Sequence, residues 1–135
     1  MSKASKKITA CPCGSGLAYS ACCEPLHQGT PAADARALMR SRYAAYVLGL
    51  ADYLRVTWHA TTLPEDLEKD LNEPPLPQWI GLDIKAFRAD GDAAQVEFVA
   101  RFKVNGRAHR LHEISDFVRE AGRWFYVSGT FPDDA

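Results

Sequence analysis

Four cysteines constrain this chain more than any other feature. Cys11, Cys13, Cys22 and Cys23 fall in a C-x-C-x8-C-C arrangement, and no other cysteine occurs in the sequence. Gly14-Ser15-Gly16 runs between the pairs, and its glycines allow the tight reversal that brings both pairs to one point. Four thiolates at one point describe a closed tetrahedral metal site, structural rather than catalytic. The N–H groups of such a reversal are placed to donate to the sulfurs, the support that metal ligands draw from their surroundings. A disulfide between the adjacent Cys22 and Cys23 would be strained, and nothing marks the chain for export, where disulfides persist. Zn2+ is the expected ion, because a lone site of this kind needs no redox role; the residues leave iron open.

The rest of the chain sets the frame for this knuckle. At 135 residues it reads as one domain plus an appendage. With 16 basic and 17 acidic side chains the net charge is −1, which speaks against a DNA partner. No apolar run approaches the ~20 residues of a membrane span. Residues 1–10 carry Lys3, Lys6 and Lys7 but no apolar stretch of the secretory type. They are expected to be a disordered leader, whose lysines offset the thiolate charge, on a cytoplasmic protein. The knuckle is assigned residues 11–27 and the main domain residues 28–135.

Residues 25–29 read as a linker, with His27 at its surface because four cysteines already fill a closed site. Thr30-Pro31 resembles a hydroxyl cap followed by proline at the first helical position, predicting a helix from there to Gly49. Ala35, Leu38, Met39, Tyr46 and Leu50 share one face of that helix at 100° per residue. Arg42 falls in the middle of that face, and a guanidinium there demands a partner. Residues 51–58 suggest a second helix and residues 64–72 a third, ended by Pro74, Pro75 and Pro77. From Trp79 the pattern changes to period two, with turns at Asp90-Gly91-Asp92, Asn105-Gly106 and Glu120-Ala121-Gly122. Four strands follow, over residues 79–89, 93–104, 107–119 and 123–131. They form an α+β architecture: an antiparallel meander with helices on one face.

Cys-Pro-Cys-Gly-Ser-Gly-x-x-Tyr-x-x-Cys-Cys resembles the SEC-C motif, the metal-binding tail of the preprotein translocase motor ATPase. Leu17, Ala18 and Ser20 stand where that motif usually carries lysines. The resemblance implies a protein partner, by analogy the ribosome or an export chaperone, met by the surface of Leu17, Ala18 and Tyr19. Residues 37–47, Thr57-Trp58-His59 and residues 117–129 resemble the YchJ family, which joins a SEC-C motif to a nuclear-transport-factor-2-like (cystatin-like) domain. That implies a cone of helices packed on the meander, often enclosing a pocket.

Strand alternation sends Leu111, Glu113, Ser115 and Phe117 to one face. Glu113 is therefore expected to meet Arg42 beside Tyr43, Tyr46 and Trp79, lining a small polar pocket in an aromatic wall or simply fixing helix to sheet. His59 is expected either at the mouth of the cone as a general base or bonded to the last carbonyls of the second helix. No nucleophile elbow, phosphate loop or H-E-x-x-H occurs, so the residues point more to a non-enzyme than an enzyme. Three readings follow: an interaction module presenting its knuckle; a small-molecule binding protein, or an enzyme of the lyase, isomerase or hydrolase kind, using the cone; and a knuckle that merely locks the N-terminus onto the cone.

Overall fold

Three two-residue turns organise the C-terminal half. At the middle one, Asn105 and Gly106 have φ of 53° and 80°, the left-handed pair that joins antiparallel strands without splaying them. A computed structural model describes residues 9–134. In it β1 (Gln78–Asp90), β2 (Ala93–Val104), β3 (Arg107–Glu120) and β4 (Arg123–Thr130) form one antiparallel sheet in the order β1-β2-β3-β4. This is the expected meander. Register shifts in β1, and between β3 and β4 at Asp116/Phe117, bend and twist the sheet.

The helices are α1 (Glu24–His27), α2 (Ala35–Leu48), α3 (Ala51–Val56) and α4 (Leu67–Asn72). α2 begins later than the Thr30-Pro31 signal suggests. Its cap is Asp34, whose side chain accepts from the Ala37 N–H at 2.8 Å, a bond worth about 1 kcal/mol in a helix start. It ends at Gly49, left-handed at φ 74°, as a helix stop requires. α2 is buried over more than one face: besides Leu38 and Met39 it covers Ser41, Arg42, Tyr43, Ala44 and Ala45, because it lies against β1, β2 and β4 at once.

Leu38, Met39 and Tyr43 pack with Val96, Phe98 and Phe117, and the same core continues without a break into Cys11, Cys13 and Cys23. A smaller cluster of Ala45, Leu54 and Leu67 holds α3 and α4. The expected leader lies outside the described residues except at its end. Thr9 accepts from the Tyr19 N–H at 2.8 Å and Ala10 bridges Ala18, so these two belong to the knuckle. No helix among the described residues is long and apolar enough to cross a membrane.

Candidate functional site

The knuckle closes as its spacing suggests. The Cys11 N–H donates to Leu17 O at 2.9 Å and the Gly14 N–H to Cys11 O at 3.2 Å, folding the Gly-Ser-Gly segment back on itself. All four cysteines are free, and their sulfurs lie within 4.8 Å of one another. Four sulfurs about 2.3 Å from a central ion at tetrahedral angles stand about 3.8 Å apart. Cys13–Cys22 and Cys22–Cys23 measure 3.6 and 3.9 Å, so the donor set fits a metal ion. Ser15 Oγ supports it, 3.1 Å from Cys22 Sγ. Among the sulfurs themselves, the Cys23 thiol bonded to Cys13 pulls Cys13 down to about 4. That same bond, and then burial, push Cys23 up. The direction at Cys13 favours the thiolate, the form in which cysteine ligates metal.

The cluster is also tied to α2. Arg40 Nη1 donates to Cys13 O at 3.1 Å and stands 4.0 Å from Cys13 Sγ, setting a cation against the anionic sulfurs. His27 is a bridge rather than a surface residue. One ring nitrogen meets the Tyr19 hydroxyl at 2.6 Å and the other Ser41 O at 2.8 Å, with Tyr53 edge-on. The residues expected to form a linker are the single turn α1, which aims this ring. Tyr19 is half-buried: its hydroxyl is taken by His27, and its ring packs on the core. Ala18 is half-buried, and Leu17 is 53% exposed.

Arg42, Tyr43, Tyr46, Trp79 and Glu113 converge on one cavity of about 210 Å³ between α2 and the sheet. Arg42 and Glu113, 3% and 7% exposed, form no direct ion pair, which corrects the expected contact. Arg42 Nη1 donates instead to Leu54 O at 3.0 Å and Thr57 Oγ1 at 2.6 Å. Its guanidinium lies 4.9 and 4.7 Å from the ring centres of Trp58 and Tyr126, contacts that favour a desolvated cation. Burial still pushes its pKa down, while Tyr46, Tyr126, Tyr53 and the charge of Glu113 oppose that. Glu113 Oε2 accepts from Ser115 Oγ at 2.7 Å and from the Tyr126 hydroxyl at 3.0 Å. Tyr126 therefore stands between the two charges, its pKa raised by burial and by Glu113, so that it remains a donor. Among the described residues no donor meets Glu113 Oε1.

His59 lies outside this cavity. Its N–H pairs with Tyr126 O at 2.8 Å, which turns the ring away to Thr61 Oγ1 at 2.7 Å and Glu120 Oε2 at 2.9 Å. It pins the loop after α3 to the β3–β4 hairpin, and its ring bonds none of the last carbonyls of that helix.

Tyr126, Thr57, Trp58 and Gly129 escape the sequence reading. Alternation along β4 would have placed Trp124 and Tyr126 inward together. Gly129 had no such signal, because the register shift beside Phe117 brings it, rather than Ser128, to the inner face. It pairs with Ser115, and a β-carbon added to it would stand 2.5 Å from Glu113 Cδ and 2.8 Å from Cγ. The carboxylate occupies the space a side chain would take.

A family model described as the YchJ middle NTF2-like domain matches residues 34–129, and the SEC-C motif matches residues 9–25. The chain belongs to the YchJ family. Its relatives there include UPF0225 proteins of Ralstonia nicotianae, 54% identical over 89% of this chain and 90% of that one, and of Cupriavidus metallidurans, 52% identical over 93% and 91%. Two solved SEC-C-containing proteins share the fold. The solution structure from Rhodopseudomonas palustris has a TM-score of 0.80 at 36% identity, covering 90% of this chain and 97% of its own. The crystal structure from Psychrobacter arcticus has a TM-score of 0.72 at 31% identity, covering 92% and 83%. In this member of the YchJ family α2 touches both the SEC-C cysteines, through Arg40, and the cavity of the NTF2-like domain, through Arg42.

Proposed function

We propose that this YchJ-family protein is a cytoplasmic zinc-binding protein whose cysteine centre clamps the N-terminus onto the domain and whose working site is the cavity under α2, which takes a small molecule. The observation that carries this reading is a buried carboxylate in an aromatic cavity with both its protein hydrogen bonds on Oε2, leaving Oε1 open as an acceptor. A structural charge is normally satisfied on both oxygens. A groove of about 520 Å³ between α1, α3 and β4 offers no comparable group: Asp52 there is held by Arg55, and Arg123 reaches Gly29 O. Zinc suits a closed set of four sulfurs that performs no redox step. The clamp reading is supported by Tyr19 and His27, which spend their polar atoms inside the molecule; the exposed Leu17 supports a second reading, a protein contact at the knuckle tip.

Protein purified under native conditions should contain about one zinc per chain by elemental analysis, reduced in Cys22→Ser. By native mass spectrometry it should retain a small molecule that Leu111→Trp, filling the cavity from the sheet, no longer holds. Iron in place of zinc refutes the metal assignment. Equal retention by both proteins, or none by the parent, refutes the cavity as the working site.

A further inference from the structure

The charges around the cavity restrict what it admits. Arg42 and Glu113 are both buried and line the same space, each held by neutral groups: a carbonyl and a hydroxyl for the first, two hydroxyls for the second. The site's own charges are therefore balanced, one positive against one negative. A cationic ligand would leave a buried excess of positive charge, and an anionic ligand would add a second negative beside the carboxylate. Both are expensive away from water. A net-uncharged ligand preserves the balance.

Such a ligand still has to satisfy Glu113 Oε1, an acceptor only, and so must bring an N–H or O–H. Its body meets rings: Tyr43 and Tyr46 lie with their centroids 5.8 and 5.9 Å from Trp79, while Phe98 and Leu111 close the sheet side. At about 210 Å³ the space falls below the ~300 Å³ at which drug-sized sites begin.

Resting on the cavity reading above, we infer that the site is selective for a small, planar, net-uncharged molecule that donates an N–H or O–H to Glu113, such as an aromatic or heteroaromatic amide. Four probes of one shape separate the possibilities: benzamide, neutral with a donor; acetophenone, neutral without one; benzoate; and benzamidinium. Titrations of the zinc-loaded full chain are followed by NMR at the Trp79 indole N–H. Benzamide should bind at least tenfold more tightly than acetophenone, which lacks the donor, tenfold being about 1.4 kcal/mol, and more tightly than benzoate and benzamidinium, which bring a net charge. Glu113→Gln keeps size and hydrogen-bonding reach but leaves Arg42 as the only charge, so its preference should pass to benzoate. If benzoate or benzamidinium is preferred by the parent, or acetophenone equals benzamide, the ligand class is overturned while the cavity remains a binding site. If no probe shifts the Trp79 signal, the cavity reading falls with it.

Discussion

Replacing Gly129 with alanine tests how the Glu113 carboxylate is placed. The new β-carbon would lie 2.5 Å from Glu113 Cδ and 2.8 Å from Cγ, far inside contact distance, and the rigid strand gives the methyl nowhere to go. The carboxylate must leave its position and lose its bonds from Ser115 and Tyr126. Hydrogen bonds to a charged group are worth about 1.5 kcal/mol each at the low end, so roughly 3 kcal/mol is lost. Alanine returns about 0.5–1 kcal/mol over glycine within a strand. The net cost is about 2–2.5 kcal/mol. For 135 residues, at about 2.1 cal/mol/K of unfolding entropy per residue, that lowers Tm by roughly 7–9 °C. Urea denaturation of the parent, Gly129→Ala, Glu113→Ala and the double variant gives the decisive comparison. Once Glu113 is truncated the methyl meets no carboxyl group, so Gly129→Ala should become neutral or stabilising by up to about 1 kcal/mol. An equal cost in both backgrounds would refute the claim that Gly129 reserves space for the carboxylate.

Two further perturbations probe other parts of the frame. Arg42→Lys should destabilise by about 1–3 kcal/mol, because an ammonium cannot donate to Leu54 O and Thr57 Oγ1 while lying over Trp58 and Tyr126; a change under 0.5 kcal/mol in urea denaturation would show that the guanidinium is dispensable. His112 is held by Glu97 Oε2 at 2.7 Å and by Asp133 Oδ1 at 3.2 Å. These carboxylates raise its pKa above the ordinary 6.5, so its stabilising contribution is complete below that pH and is lost as pH rises through the raised value. An NMR titration of the His112 ring with a midpoint at or below 6.5 would contradict this arrangement, in which Arg110 also approaches Asp133.

The meander was legible because each of its turns carries a glycine in a two-residue connection, and alternation does the rest within a residue at most strand ends. The helix start was not legible, since Thr30-Pro31 and Asp34 are both good caps and only packing chooses between them. Asp34 prevails because Ala35, the first helical residue after it, is fully buried. Alternation placed Glu113 on the correct face, yet Arg42 took a carbonyl from the end of α3. Every residue carries a backbone carbonyl, so no side-chain pattern singles out the one left free by a helix end. His27 posed the same problem from the other side. Its two nitrogens acquire meaning only when α1 brings them to Tyr19 and Ser41. The cysteine cluster was the most legible feature of all, because its ligands are neighbours in sequence as well as in space.

The side chains of three consecutive residues of α2 each answer to a different part of the molecule: Arg40 to the knuckle, Ser41 to Tyr53, and Arg42 to the cavity. Successive side chains leave a helix about 100° apart, so these three directions are locked to one another by the backbone. Inserting or deleting one residue among them would swing those on one side by that angle relative to the others and break attachments that now coexist. This stretch of α2 can therefore change only by substitution, and its length is as much a part of the design as its composition.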